Sequence, residues 1–137
     1  MALLRLFFIL SLCLHVSQAT EWKNIKSVSL KKDQIYKVLI KSENSVRLLE
    51  FRWTLYINDI LTVLENFDDL VTQRSLKLNH TNQSFRIDLL ARTATKIIIP
   101  YLLIKFTEYD YKKNESKFDI FLKDSEEEIK LEYLKSE

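Results

Sequence analysis

From Ile25 onward, apolar side chains return at every second position over a series of short runs. Period two is the repeat of a pleated strand, whose successive side chains leave on opposite faces; a helix would repeat every ~3.6 residues. A chain written this way must bury one face of each strand against another sheet. The clearest run is Val46 to Ile57, where Leu49, Phe51, Trp53, Leu55 and Ile57 are expected on one face and Glu50, Arg52, Thr54 and Tyr56 on the other. Asn58-Asp59 then supplies a two-residue turn, and Ile60 to Phe67 returns as the partner strand.

Further runs extend the scheme over Ile25 to Leu30, Ile35 to Ile40, Leu70 to Leu78, Phe85 to Ala91, Lys96 to Glu108, Lys117 to Leu122 and Ile129 to Tyr133. The breaks carry turn chemistry: Lys32-Asp33, Ser42-Glu43-Asn44, Asp68-Asp69, Asn79 to Asn82, Arg92 to Thr95, Lys112-Lys113-Asn114 and Asp124-Ser125. About eight or nine short strands spaced like this predict an all-β fold, a single antiparallel β-sandwich, with a β-barrel as the second solution. The chain contains no glycine, so its left-handed turn positions must fall to Asn and Asp, which tolerate positive φ best among the remaining residues. Ile97 to Ile104 is apolar on both faces, as in a central strand, yet Pro100 cannot donate to a ladder, which predicts a bulge or sheet-switching bend there. Two segments also fit helices. Asp59 to Leu70 can place Ile60, Leu61, Leu64 and Phe67 on one side, and Ser125 followed by Glu128 resembles a capping box, although the alternation of Ile129, Leu131 and Tyr133 favours a strand.

Residues 1 to 19 read as a secretory leader: Arg5 in a short n-region, an apolar run from Leu6 to Leu14, and a small-residue exit at Ser17-Gln18-Ala19. The run is shorter than the ~20 residues a membrane-spanning helix needs, so a cleaved signal peptide is expected, with an uncleaved anchor as the alternative and no integral span after its removal. Cleavage after Ala19 leaves a single domain, residues 20 to 137, without a thiol, because Cys13 departs with the leader. Its expected location is periplasmic or secreted, and its stability must come from packing without disulfides. With 21 basic and 19 acidic residues overall, no bulk electrostatic partner such as nucleic acid is implied.

The absence of glycine excludes Gly-dependent phosphate loops, and no cofactor motif is present. After leader removal no cysteine remains and His80 is the sole histidine, so a Cys nucleophile or Cys-rich zinc site is excluded and a Ser-His-Asp arrangement would have to form around His80, with Ser84 and Asp88 nearby. No strained nucleophile turn accompanies them, and His80 reads as a polar turn residue. Asp68-Asp69, Glu108 with Asp110, and Glu126-Glu127-Glu128 are acid pairs of the kind glycoside hydrolysis or calcium binding uses, but they read first as solvated charge. The expectation is a non-enzymatic chain with no metal.

Arginines beside aromatics carry more information. Arg52 lies between Phe51 and Trp53 and Arg86 follows Phe85, so each is expected opposite its aromatic neighbour. If Arg52, Tyr56 and Arg86 share an outer sheet face, they make the Arg and Tyr surface that binding sites favour; a solvated face with cross-strand ion pairs is the alternative. Trp22 reads as a peg for the N-terminus. Tyr101, Phe106, Tyr109 and Tyr111 would suit a nucleic-acid stacking platform, against which the balanced charge counts. Asn79-His80-Thr81, Asn82-Gln83-Ser84 and Asn114-Glu115-Ser116 match glycosylation acceptors, relevant only in a eukaryotic host.

The segments Glu21-Trp22-Lys23-Asn24, Phe51-Arg52-Trp53-Thr54-Leu55-Tyr56, Leu78-Asn79-His80 with Asn82-Gln83-Ser84-Phe85-Arg86, and Pro100-Tyr101 resemble small, uncharacterised exported proteins of Gram-negative bacteria across nearly the whole mature chain. That resemblance implies an envelope address and brings no activity. One departure is Ile60, where a hairpin would welcome Gly after Asn58-Asp59. The expected role is an exported interaction module that binds an envelope protein through an edge strand or the Arg52 and Tyr56 face. The alternative is a small-ligand binder or hydrolase with a pocket near Asn79 to Asn82.

Overall fold

The computed structural model describes residues 23 to 90, 99 to 123 and 129 to 135. The leader and its cleavage site, Trp22, the break at Arg92 to Thr95, and the acidic cluster with Ser125 lie outside the described residues.

The alternation sets the strand bounds. The described residues form β1 (Lys23–Lys31), β2 (Tyr36–Lys41), β3 (Val46–Ile57), β4 (Ile60–Phe67), β5 (Leu70–Lys77), β6 (Ser84–Asp88), β7 (Tyr101–Asp110), β8 (Glu115–Lys123) and β9 (Lys130–Tyr133). Two sheets result, one of four strands in the order β1-β8-β7-β6 and one of five in the order β5-β4-β3-β2-β9. Every pairing is antiparallel. The sheets pack face to face without closing into a barrel, so the fold is an all-β sandwich. Strands β2 to β5 run as one meander and β6 to β8 as another, while β1 and β9 each join the meander they do not adjoin in sequence.

The turns obey the constraint that a glycine-free chain imposes. Among the described residues, those with positive φ are Asp33, Asn58, Asp59, Asp68, Asp69, Asn79 and Asn114, all Asn or Asp. In the Asn58-Asp59 and Asp68-Asp69 turns both central residues are left-handed, the type I′ geometry whose twist matches the flanking strands. Ile60 after Asp59 is therefore no obstacle: the turn needs positive φ at its two central positions, and the next residue already belongs to the strand. Asp59 to Leu70 is accordingly strand and turn, and the helical solution does not form.

Both sheets contribute to one core. Phe51 meets Phe118 edge-on at 5.5 Å between ring centroids, and Tyr36 meets Phe51 at 5.6 Å. Trp53 donates its Nε1–H to the Leu30 carbonyl at 2.8 Å, and its own carbonyl accepts from the Asp33 N–H at 2.9 Å. Trp53 thus fastens the β1–β2 crossover to the five-stranded sheet. Glu65 occupies a core-facing position in phase with Leu61 and Val63, and its buried carboxylate is held by Arg74 at 2.9 Å. A buried carboxylate without that partner would carry a large desolvation cost.

Two local expectations are corrected. The β3–β4 register shifts between Trp53 and Leu55. This bulge inserts one residue and reverses the phase of everything after it. Leu55 and Ile57 consequently point to solvent, 46% and 54% exposed, while Tyr56 packs against the core. Pro100 does not bend β7, because the strand starts after it, at Tyr101. The Pro100 carbonyl accepts from the Leu89 N–H at 2.9 Å, and the register shift within β7 falls between Phe106 and Glu108.

Candidate binding face

The described residues include four arginines, and their partners separate structural from available charge. Arg47 reaches from β3 to both carboxylate oxygens of Asp68 and to the Leu89 carbonyl, with its guanidinium 4.3 Å from the Phe67 ring centroid. Desolvation lowers its pKa, but two acceptors and a ring face keep the charge occupied. Arg74 is committed to Glu65. Arg86 donates to Asp88 at 2.6 Å and lies 3.7 Å from the Tyr101 ring centroid. Arg52 makes no hydrogen bond or ion pair with any described residue.

The outer face of the five-stranded sheet positions Arg52. Its cross-strand neighbour on β4 is Leu64, and Glu50 and Asn66 are the next pair along the same face. Ile35, Arg52, Leu64 and Val71 line a shallow depression of about 230 Å³ with Glu50 and Asn66 at one side. A second depression of about 280 Å³ adjoins it, sharing Glu50 and Asn66 and lined also by Val46, Leu48, Asp68 and Asp69. Glu50 lies 3.4 Å from Lys37 Nζ and accepts from Asn66 Nδ2 at 3.4 Å, while Asn66 Oδ1 is buried without a partner. Val46, Leu48, Leu55, Ile57, Ile60 and Val71 leave this face exposed and aliphatic. Exposed aliphatic side chains around a few placed charges are what partner-binding surfaces have in common.

The residues singled out from the sequence do not assemble as one site. Arg52 is on the outer face of the five-stranded sheet and Arg86 on the outer face of the four-stranded sheet. Tyr56, displaced by the bulge, stacks on Tyr109 at 3.9 Å and lies edge-on to Phe106 at 6.2 Å. Burial, with the neighbouring Tyr111 hydroxyl, pushes the Tyr56 phenol well above its ordinary pKa. His80 is exposed in the β5–β6 connection, its carbonyl accepting from the Gln83 N–H at 3.1 Å. Asp88 lies at the far end of β6, roughly 13 Å along the strand from Ser84, so His80, Ser84 and Asp88 do not converge. The two depressions described above are lined by none of them.

The four aromatics considered as a stacking platform also separate. Phe106 is in the core, Tyr101 lies between Arg86 and Lys123 on the outer four-stranded face, and Tyr109 and Tyr111 cluster at the β7–β8 turn. Among the described residues no group of three or more His, Cys, Asp or Glu side chains is placed to hold a metal ion. Leu64 and Val71 were missed because alternation assigned faces only within Val46 to Ile57. The available signal was the loss of alternation itself: Ile60-Leu61 and Leu70-Val71 are apolar in both phases. Comparison with known proteins gives no match, whether by family profile, curated sequence or solved structure.

Proposed function

We propose that this chain is an exported, non-enzymatic interaction module of the cell envelope, which docks a partner protein on the outer face of its five-stranded sheet. The observation that carries the reading is Arg52, a half-buried guanidinium without a described partner, set in a depression bordered by Ile35, Leu64 and Val71. The occupant that suits it is a protein segment presenting one carboxylate flanked by aliphatic side chains. The carboxylate would pair with Arg52 in a site partly screened from water, and the aliphatic groups would cover the exposed leucines and valines. Arginine at a desolvated position is a frequent contributor of binding energy. The leader-like N-terminus and the resemblance to exported envelope proteins support the address.

The test is cross-linking in the native host with a C-terminally tagged chain, followed by mass spectrometry. Arg52→Glu is expected to abolish capture of the partner while the purified domain keeps its wild-type unfolding midpoint. Capture that survives Arg52→Glu would remove this face from consideration.

A further inference from the structure

A strand edge with free N–H and C=O groups is a template for another strand unless something blunts it. Among the described residues β1, β6, β5 and β9 lie at sheet edges. Strand β1 presents exposed Lys26 and Lys31 and has a register shift between Asn24 and Lys26. Strands β6 and β9 are short, with five and four residues. Strand β5 has eight residues and is blunted only over its second half. There Asn82 folds back along the edge, donating from Nδ2 to the Ser75 carbonyl at 3.0 Å and accepting from the Lys77 N–H at 3.4 Å.

These two bonds also fix the direction of the main chain. The groups of Ser75 and Lys77 face away from β4, and by antiparallel alternation those of Val71 and Gln73 do so too. No described residue bonds to the outward groups of Val71 and Gln73. The same half carries Leu70 and Val71, 69% and 65% exposed.

We propose that the open half of β5 pairs antiparallel with the same half of a second copy of this chain, about a two-fold axis at Thr72. In that register Val71 lies opposite Gln73 of the second copy, and each such pair closes with main-chain hydrogen bonds in both directions. Asp69 falls diagonal to Lys77 of the second copy, so opposite charges meet twice, once on each side of the axis. Registers shifted toward the C-terminal end of β5 are unfavourable. An axis at Gln73 sets Val71 opposite Ser75, whose carbonyl Asn82 already occupies, and an axis at Arg74 sets like charges face to face. The Asn82 clamp therefore limits the edge and weighs against the Gln73 register. Val71 also borders the Arg52 depression, but the pairing rests on main-chain groups, and Arg52→Glu is expected to leave the assembly unchanged.

The test uses the full chain with Cys13→Ser, so that an introduced cysteine is the sole thiol. Light scattering during size-exclusion chromatography is expected to give twice the chain mass. Thr72→Cys is expected to form a disulfide-linked dimer under mild oxidation, and Gln73→Cys not to. Gln73→Pro deletes an outward N–H without touching the β4 ladder and is expected to give a folded monomer by circular dichroism. If that variant does not fold, Val71→Lys, which charges the edge without altering the backbone, is expected to give the monomer. A monomeric mass at high micromolar concentration with no cross-link at position 72 overturns the proposal. So does a dimer that links at position 73, or one that persists in whichever of the two variants folds.

Discussion

The two outer faces of the sandwich are made of the same kinds of residue and are finished differently. On the four-stranded sheet several charges close on one another: Arg86 with Asp88 and the Tyr101 ring, Ser27 with Asp119 at 2.5 Å, Lys117 with Glu108 at 2.7 Å. Hydrogen bonding to Glu108 raises the pKa of the Lys117 ammonium, as expected of a satisfied pair. On the five-stranded sheet Lys41 pairs with Glu132 near one margin and Lys37 with Glu50, while Arg52, two residues from Glu50 on the central strand, is left among aliphatic side chains. An arginine already held by a carboxylate and a ring, as Arg86 is, has little to gain from a partner. A face with an unpaired cation among exposed leucines and valines gains from both its charge and its area.

The comparison can be broken at several points. The aliphatic face depends on the bulge after Trp53, so Tyr56→Ala is expected to destabilise the domain by about 2–3 kcal/mol and Leu55→Ala by less than about 0.5 kcal/mol. Chemical denaturation measures both, and the reverse order would mean that the phase of β3 has been misassigned. A second check concerns the far margin of the five-stranded sheet, where the Tyr36 and Tyr133 hydroxyls are buried without partners. Burial raises both phenols, Tyr133 to about 12 from an ordinary 10.0. The Tyr133 contribution is thus fully present below pH 10 and lost as pH rises through about 12. Tyr133→Phe is expected to flatten the fall in unfolding midpoint over that window, and an unchanged slope would contradict the assignment. The smallest effects separate the two arginines. Arg86→Ala is expected to cost about 1 kcal/mol through its ion pair and ring contact, whereas Arg52→Ala should stay within about 0.5 kcal/mol. Equal losses would remove the distinction on which the binding face rests.

Much of the architecture was legible because it is local. Alternation reproduces β3 and β4 to the residue, and the need for left-handed turns without glycine leads directly to Asn58-Asp59 and Asp68-Asp69. The bulge between Trp53 and Leu55 was not legible, because Leu55 and Ile57 continue the apolar pattern while the backbone changes phase beneath it. The site was legible only in part. Arg52 and Arg86 share the same sequence signature, an arginine following a phenylalanine, and what separates them is non-local. Tyr101 reaches Arg86 only once β6 pairs with β7, and Leu64 reaches Arg52 only once β3 pairs with β4. Asn82, which reads as part of a polar loop, shows its role only when β5 is identified as an edge.

The exchange of end strands between the two meanders has a kinetic consequence. Hairpins β2 to β5 and β6 to β8 form from neighbours in sequence, but Ser27 meets Asp119 across 92 residues and Lys41 meets Glu132 across 91. Closing such loops is entropically costly and slow, so high contact order should place docking of β1 and β9 among the last events of folding. Until the C-terminal strand has been synthesised and docked, the long side of β2 is a second open edge.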